Sequence, residues 1–346
     1  MKILVTGANG FLGRHVVAEL VRRGHAVRAM VRPAADISRL DWDRRVEVYR
    51  ADLRVHPDLA VAFDGIDALV HLAATVVGDA EAQLAETVVG TTRLLAAMAR
   101  SQTRRLVLAS SFSVYDFNAA AGTLTEQTPL DPRIYERDGY AIAKTWQERI
   151  TRSAADAHGW ELTVLRPGFI WGKGNEYLAC LGQRFGAVNL VLGPWTRLPL
   201  THVRNCADCF ADAVENAQAI GQTFNVVDDD SVRAWKYMGE YLRGSGKRGF
   251  RVPVPYLVSL LIVHAAQRTS KLIFRGKGKL PSLLVPCRFT ARFKPLRYPT
   301  EFVRKTLGWT PRLSFAECRK LTWETDSPRP APALREIEMQ ESPAAV

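Results

Sequence analysis

The chain opens on a short apolar run, Lys2-Ile3-Leu4-Val5. Thr6-Gly7-Ala8-Asn9-Gly10-Phe11-Leu12-Gly13 follows at once, and then Val16, Val17, Leu20 and Val21 recur at helical spacing. This order predicts a buried strand, a glycine turn and a helix lying on the strand. Ala26-Val27-Arg28-Ala29-Met30-Val31, Val46-Glu47-Val48-Tyr49, Ala68-Leu69-Val70-His71-Leu72-Ala73-Ala74 and Leu106-Val107-Leu108-Ala109 read as further strands. Leu162-Thr163-Val164-Leu165 and Phe224-Asn225-Val226-Val227 extend the series. Strands alternating with helices predict an α/β fold, a doubly wound parallel sheet covered on both faces.

The glycines at 7, 10 and 13 allow a tight turn, close approach of a pyrophosphate and packing of the helix on the strand. The helix N-terminus adds N–H donors and partial positive charge. The opening segment therefore predicts a dinucleotide site. In such a fold the end of the second strand meets the adenosine ribose, where an acidic residue binds the 2′-hydroxyl and an arginine accommodates a 2′-phosphate. Arg32 stands there. It points to NADP(H), with NAD(H) as the alternative and Arg28 as a second, weaker candidate. Ala73 and Ala74 are small enough for a cofactor to lie against the strand end, and His71 reads as a packed strand histidine.

Tyr140 and Lys144 stand four residues apart and share a helix face. A tyrosine ordinarily titrates near 10, too high for a base at neutral pH. An adjacent ammonium favours the phenolate and lowers that value, which suits general acid–base catalysis. A serine pair, Ser110-Ser111, ends the strand at 106–109.

The ordered set Thr6-Gly7-x-x-Gly10-x-x-Gly13, Asp52-Leu53, His71-Leu72-Ala73-Ala74, Ser110-Ser111-Phe112-Ser113-Val114-Tyr115, Tyr140-x-x-x-Lys144 and Arg166-Pro167-Gly168-Phe169-Ile170-Trp171-Gly172 resembles the extended short-chain dehydrogenase/reductases, the NAD-dependent epimerase/dehydratase family. His202-Val203-Arg204-Asn205, Gly221-Gln222-Thr223-Phe224-Asn225-Val226 and Leu307-Gly308-Trp309-Thr310-Pro311 carry the likeness to about residue 320. The segment 203–205 and the apolar, basic C-terminal region look like the 3β-hydroxysteroid dehydrogenase and dihydroflavonol reductase branch.

The resemblance implies a Rossmann-type fold and a role for each matching residue. Ser111 would hydrogen-bond the reacting oxygen, Tyr140 would exchange the proton, and Lys144 would hold the nicotinamide ribose and lower the tyrosine pKa. Gly7, Asn9, Gly10, Phe11, Leu12 and Gly13 would cradle the pyrophosphate, with Asp52 and Leu53 near the adenine. Leu72, Ala73, Ala74, Pro167, Gly168 and Ile170 would line the cofactor, and Ser113 and Arg197 would meet substrate. The family's pairing of two subunits would use helices at about 88–100 and 140–157, through Leu94, Leu95 and Met98 with Ile142, Trp146 and Ile150. Two positions depart from the pattern. Thr87 stands where asparagine is usual, and Asp116 replaces a glycine after Tyr115.

Three functions are open at this stage. The first is net hydride transfer between NADP(H) and a secondary alcohol or ketone, on a lipophilic or polycyclic substrate. The second is a nucleotide-sugar epimerase or dehydratase with recycled cofactor, in which Arg184, Arg197 and Arg292 would bind a diphosphate. The third is a non-enzymatic NADP(H)-binding sensor or scaffold.

Composition adds one asymmetry. The chain carries 47 basic and 35 acidic residues, net +12. Residues 241–300 hold thirteen Lys and Arg and no Asp or Glu, so the rest sums to 12 − 13 = −1. This implies an anionic partner. Within it, residues 252–266 are largely apolar but shorter than the ~20 residues that span a bilayer. They read as a core helix of the substrate domain with a solvated basic rim. Peripheral membrane contact through 241–300 is the alternative, and no nucleic-acid motif is present. Five cysteines without framework spacing suit a reducing compartment. Cys206 and Cys209 read as thiols packed on a helix, and no metal site is expected. With no leader before the first strand, the expected location is cytoplasmic. The expected division is a dinucleotide-binding domain over 1–179, with a strand returning at about 222–228. A smaller α/β substrate domain would take 180–204 and 229–321, and 327–346 would be a disordered tail.

Overall fold

The computed structural model describes residues 1–324 apart from 41, 76–77, 230–231 and 275–279. The tail expected at 327–346 lies outside the described residues. Strands β1 (Lys2–Thr6), β2 (Ala26–Val31), β3 (Val46–Arg50), β4 (Ala68–His71), β5 (Arg105–Ala109), β6 (Glu161–Pro167) and β11 (Thr223–Val226) form one seven-stranded sheet. Its order is β3-β2-β1-β4-β5-β6-β11, and every pairing is parallel. Two short sheets accompany it. One pairs β7 (Phe169–Trp171) with β10 (Leu200–His202), and the other joins β8 (Gly182–Phe185), β9 (Val188–Leu192) and β12 (Phe250–Val254).

The apolar runs become sheet because both faces are covered. Helices α1 (Gly13–Arg22) and α4 (Val203–Glu215) bury one face. Val16, Val17 and Leu20 of α1 are entirely buried there, each contributing about 1.5 to 3 kcal/mol relative to exposure. Cys206 and Cys209 lie in the same layer, fully buried, with burial raising both thiol pKa values. Helices α2 (Ala80–Ala99) and α3 (Gly139–His158) cover the other face. Gly139 lets them touch, since a Cβ there would sit 2.5 Å from the Cα of Ala80. The sheet order reverses between β1 and β4, so the loops after those strands flank the crevice where such folds bind ligands.

Leu94 and Met98, expected to face a second copy, turn inward and are entirely buried beneath α2. Ile142, Trp146 and Ile150 stay half-buried. The outer surface between α2 and α3 is a groove of about 230 Å³ lined by Thr92, Leu95, Ala96, Ile150, Ala154 and His158.

The remaining helices are α5 (Ala234–Gly244), α6 (Tyr256–Phe274), α7 (Pro286–Phe293), α8 (Glu301–Leu307) and α9 (Phe315–Trp323). Trp171, Tyr237, Phe315 and Trp323 stack into a core between β7, α5 and α9. Helix α6 corrects the sequence reading. It is not a core helix, because Leu257, Leu261 and Leu272 are 69%, 71% and 83% exposed. Only one face packs, through Tyr256, Leu260 and Val263 against Phe289 and Phe293 of α7.

Candidate active site

The glycine turn sits at the switch point. Gly7 has φ +68°, and a Cβ on it would lie 2.9 Å from the Ala73 nitrogen on the neighbouring loop. A Cβ on Gly13 would overlap the Gly7 carbonyl oxygen at 2.0 Å. These contacts pull the turn tight and bring Leu72 and Ala73, after β4, against it. Helix α1 begins at Gly13 with no side-chain cap, which leaves amide donors for an anion. Arg14 lies 5.4 Å from the Phe11 ring centre and makes no ion pair among the described residues, so the turn is electropositive. Asn9, Gly10, Phe11 and Leu12 complete the turn. Its backbone donors, its tightness and the small residues facing it fit a dinucleotide pyrophosphate.

At the adenosine end, Arg32 follows β2 and is exposed, with Nη2 3.1 Å from the Glu86 carboxylate. Arg54 donates to the same carboxylate at 3.0 Å and to Asp52 at 2.7 Å. The Arg54 hydrogen bond holds the Asp52 carboxyl down at about 2. Leu53 packs against Gly90 of α2. Arg28 is no candidate for a phosphate. It is buried, with Nε on Glu47 and Nη1 on the carbonyls of Val61, Ala62 and Asp64. Thr87 accepts from the Thr75 amide at 3.1 Å, so a hydroxyl serves at the position of the expected asparagine.

The reacting end is assembled by α3 and the end of β5. Lys144 is buried, and its Nζ donates to the Ala109 carbonyl at 2.7 Å and to Gln147 Oε1 at 2.8 Å. Burial pushes its pKa down to about 7, against the opposing pull of Glu148. Tyr140 lies one helical turn earlier and is half-buried. Ser111 follows Ala109 by two residues and accepts from the Ser113 amide at 3.1 Å. The 112–114 turn it starts packs on α3, and Ser113 Oγ is buried without a hydrogen-bond partner. The structure thus brings the serine turn, the tyrosine helix and the lysine to one strand end. The serine pair is divided: Ser110 faces inward and donates to Glu148 at 2.6 Å.

Pro167 ends β6, the Gly168 amide donates to Val226, and Ile170 pairs with Thr201 on the short β7–β10 sheet. Arg197 is exposed, and its backbone bridges Arg233. Asp116, in place of the usual glycine, caps its own loop by accepting from the Asn118 and Ala119 amides.

Sequence reasoning missed the supports. Gln147 receives the lysine and donates to the Ala73 carbonyl at 2.9 Å and to Thr91 at 3.0 Å. It also meets His71 Nε2 at 3.0 Å. His71 is wholly buried between Thr6 and Thr91, and burial lowers its pKa to about 3. It is a packed strand histidine, as expected, though with partners that were not foreseen. Glu148, fully buried, is held by Arg166 and Ser110, and Arg166 stacks 4.6 Å over the Tyr115 ring. The available signal was spacing: Gln147 and Glu148 stand at i+3 and i+4 from Lys144, on its own face. Among the described residues no cluster of metal-binding side chains occurs.

Comparison with known proteins follows this geometry. The model of the NAD dependent epimerase/dehydratase family matches residues 3–226. The chain is 26% identical over 351 residues to 3beta-hydroxysteroid-dehydrogenase/decarboxylase isoform 1 of Arabidopsis thaliana, covering 94% of this chain and 79% of that protein. It is 30% identical to the 3 beta-hydroxysteroid dehydrogenase/Delta 5-->4-isomerase of Mycobacterium tuberculosis, over 90% of this chain and 86% of the relative. The fold is like that of UDP-glucuronic acid 4-epimerase from Bacillus cereus, solved with UDP-glucuronic acid and NAD. That likeness has a TM-score of 0.69 at 19% identity, over 94% of this chain and 98% of the other. The chain belongs to the NAD-dependent epimerase/dehydratase family of extended short-chain dehydrogenase/reductases, a family of NAD(P)-dependent enzymes.

Proposed function

We propose that the protein transfers a hydride between NADP(H) and a secondary alcohol or ketone of a lipophilic, polycyclic substrate, with Tyr140 as the acid–base group. The observation that carries this reading is the placement of Lys144. It is a buried amine, its pKa pushed down to about 7, fixed to Ala109 and Gln147, one turn after Tyr140 and at the foot of the Ser111 turn, and it is a cation wherever it holds its proton. A buried cation favours the phenolate of a neighbouring tyrosine.

When bound, the nicotinamide supplies or accepts the hydride. The chain's own residues manage the proton. In the reducing direction Ser111 Oγ donates a hydrogen bond to the substrate oxygen, and Tyr140 passes its phenolic proton to it. The Lys144 ammonium stabilises the phenolate that remains. Oxidation runs the same steps backward. The glycine turn would hold the pyrophosphate, Asp52 and Leu53 the adenine side, and Pro167, Gly168 and Ile170 the nicotinamide end, with Leu72, Ala73 and Ala74 lining the cofactor. Ser113 and Arg197 would meet the substrate.

The two sterol-dehydrogenase relatives support the substrate class. The nucleotide-sugar alternative would have Arg184, Arg197 and Arg292 converge on a diphosphate. Their settings favour the first reading: Arg184 donates to Gly186 of its own turn, Arg197 is exposed, and Arg292 lies 3.7 Å from Asp138. Arg32 supports NADP(H) over NAD(H). We further propose a homodimer that fills the groove between α2 and α3, readable as twice the chain mass in light scattering. Five free cysteines, four of them buried, favour the reducing cytoplasm.

Denaturing the purified protein and identifying the released nucleotide tests the reading. An empty protein that binds NADPH well above NADH and reduces 3-ketosteroids supports it. Stoichiometric, non-exchanging NAD with epimerisation of a nucleotide sugar contradicts it.

A further inference from the structure

Helix α6 presents an exposed apolar surface that the proposed reaction leaves unexplained. Leu257, Val258, Leu261 and Ile262 are 46 to 71% exposed in its first half, and beyond the exposed His264, Ala265, Arg268 and Thr269 the same face resumes with Leu272 and Ile273 at 83 and 66%. Its packed face, with Ser259, Leu260, Val263 and Ser270, leaves these aliphatic residues turned to water, where a helix of a folded domain normally carries polar side chains. Clustered exposed aliphatic side chains of this kind mark an interaction site.

The charge around these side chains identifies the partner. Arg268 and Lys271 are exposed on the same helix. The sequence beyond it runs Arg275-Gly276-Lys277-Gly278-Lys279, and no acidic residue occurs anywhere in 241–300. A second copy is a poor occupant. A two-fold interface sets the same patch against itself, and this patch would bring cations together with no acidic residue in the segment to pair them. Among the described residues no helix is long and apolar enough to cross a membrane. A 19-residue helix whose exposed face carries Leu257, Leu261 and Leu272, with Arg268 on that face and Lys271 beside it, can instead lie in the headgroup plane. Aliphatic side chains enter the acyl boundary while arginine and lysine meet lipid phosphates.

We infer that α6 docks the protein in the plane of an anionic membrane surface, through Leu257, Leu261, Ile262 and Leu272 with Arg268 and Lys271. This is independent of the proposed reaction, although it places the substrate side close to lipid. Helix α7, on which α6 packs, bonds the chain just ahead of Tyr140 through Arg288 to the carbonyls of Glu136 and Arg137.

The test is co-sedimentation of the full chain with vesicles of phosphatidylcholine alone or mixed with phosphatidylserine. Binding is expected to the anionic vesicles and to fall with salt. L257D/L261D should weaken it more than tenfold, and R268Q/K271Q by about fivefold per charge removed. All four positions are exposed, so unchanged circular dichroism and NADPH affinity verify that the variants fold. Three results overturn the inference. The first is no binding to anionic vesicles at low salt. The second is binding that neither variant reduces. The third is a fall in particle mass in L257D/L261D without vesicles, which would assign the face to a second copy.

Discussion

Gln147 Oε1 receives the Lys144 ammonium at 2.8 Å, while Gln147 Nε2 donates to the Ala73 carbonyl at 2.9 Å. One amide therefore ties the lysine on α3 to the loop after β4 that faces the glycine turn. The lysine of α3 and the loop facing the glycine turn are thereby held in register by a single side chain.

Replacing Gln147 by Leu keeps the volume but leaves Lys144 with one acceptor and the Ala73 carbonyl without its donor. A buried polar group left unpaired costs about 1 to 3 kcal/mol. Urea unfolding should show a loss of that order, and the KM for NADPH should rise together with a fall in kcat. A purely structural role would lower stability and leave both kinetic constants alone. Q147E, which keeps an acceptor for the lysine, should recover part of kcat.

Glu148 makes a second prediction. It is buried without exposure beside Arg166, with the half-exposed Arg152 on the same oxygen and Ser110 on the other. Removing one member of a buried pair leaves an uncompensated charge, at about 3 to 5 kcal/mol. E148A should therefore unfold at much lower urea than the natural protein, whereas E148A/R166M should regain much of the loss. A double variant no more stable than E148A would remove the ion pair from this account.

Lys144 gives the stability a particular pH dependence. Its folded pKa is about 7, against an ordinary 10.5 in the unfolded chain. Between those values the unfolded chain binds the additional proton, so this group makes stability rise with pH across that window. Buried Cys206, Cys209 and Tyr237, whose pKa values are raised, act in the opposite sense above about pH 9. The informative quantity is the difference between the natural protein and K144M, measured without nucleotide. The natural protein should gain on K144M from pH 7 upward, and parallel curves would contradict the buried lysine.

These supports also show what the sequence did and did not disclose. The strands were legible because a parallel sheet buried on both faces needs unbroken apolar runs, and residues 2–5, 106–109 and 162–165 are such runs. The glycine turn, Tyr140 and Lys144 were legible because their spacing is local. Gln147 and Glu148 were not, since polar residues on a helix ordinarily face water. Their partners, Ala73 and Ser110, lie 74 and 38 positions away. Arg28 and Arg32 look alike on paper, and only the carbonyls of Val61, Ala62 and Asp64 reveal that the first is a structural residue. Helix α6 misled because an apolar helix is usually core, and the sequence does not reveal how little of this one α7 covers.

Beyond β2, where the proposed cofactor would place its adenosine, Glu86 accepts from both Arg32 and Arg54. A 2′-phosphate must share or displace that carboxylate. E86Q should therefore tighten NADPH binding by about tenfold, and R32A should weaken it by about as much, since a charge-assisted hydrogen bond contributes about 1.5 to 3 kcal/mol. NADH binding should change little in either variant. Fluorescence titration of both nucleotides provides the comparison, and equal shifts for NADH and NADPH would take the 2′-phosphate away from Arg32.

The most direct measurement is single-turnover oxidation of bound NADPH by a 3-ketosteroid, in the natural protein and in Y140F. Loss of the Tyr140 proton should slow the step by about 10² to 10⁴ while leaving the NADPH dissociation constant unchanged. An undiminished rate in Y140F would contradict the assignment of Tyr140 as the acid–base group, and with it the reading of Lys144 and Ser111 as its partners.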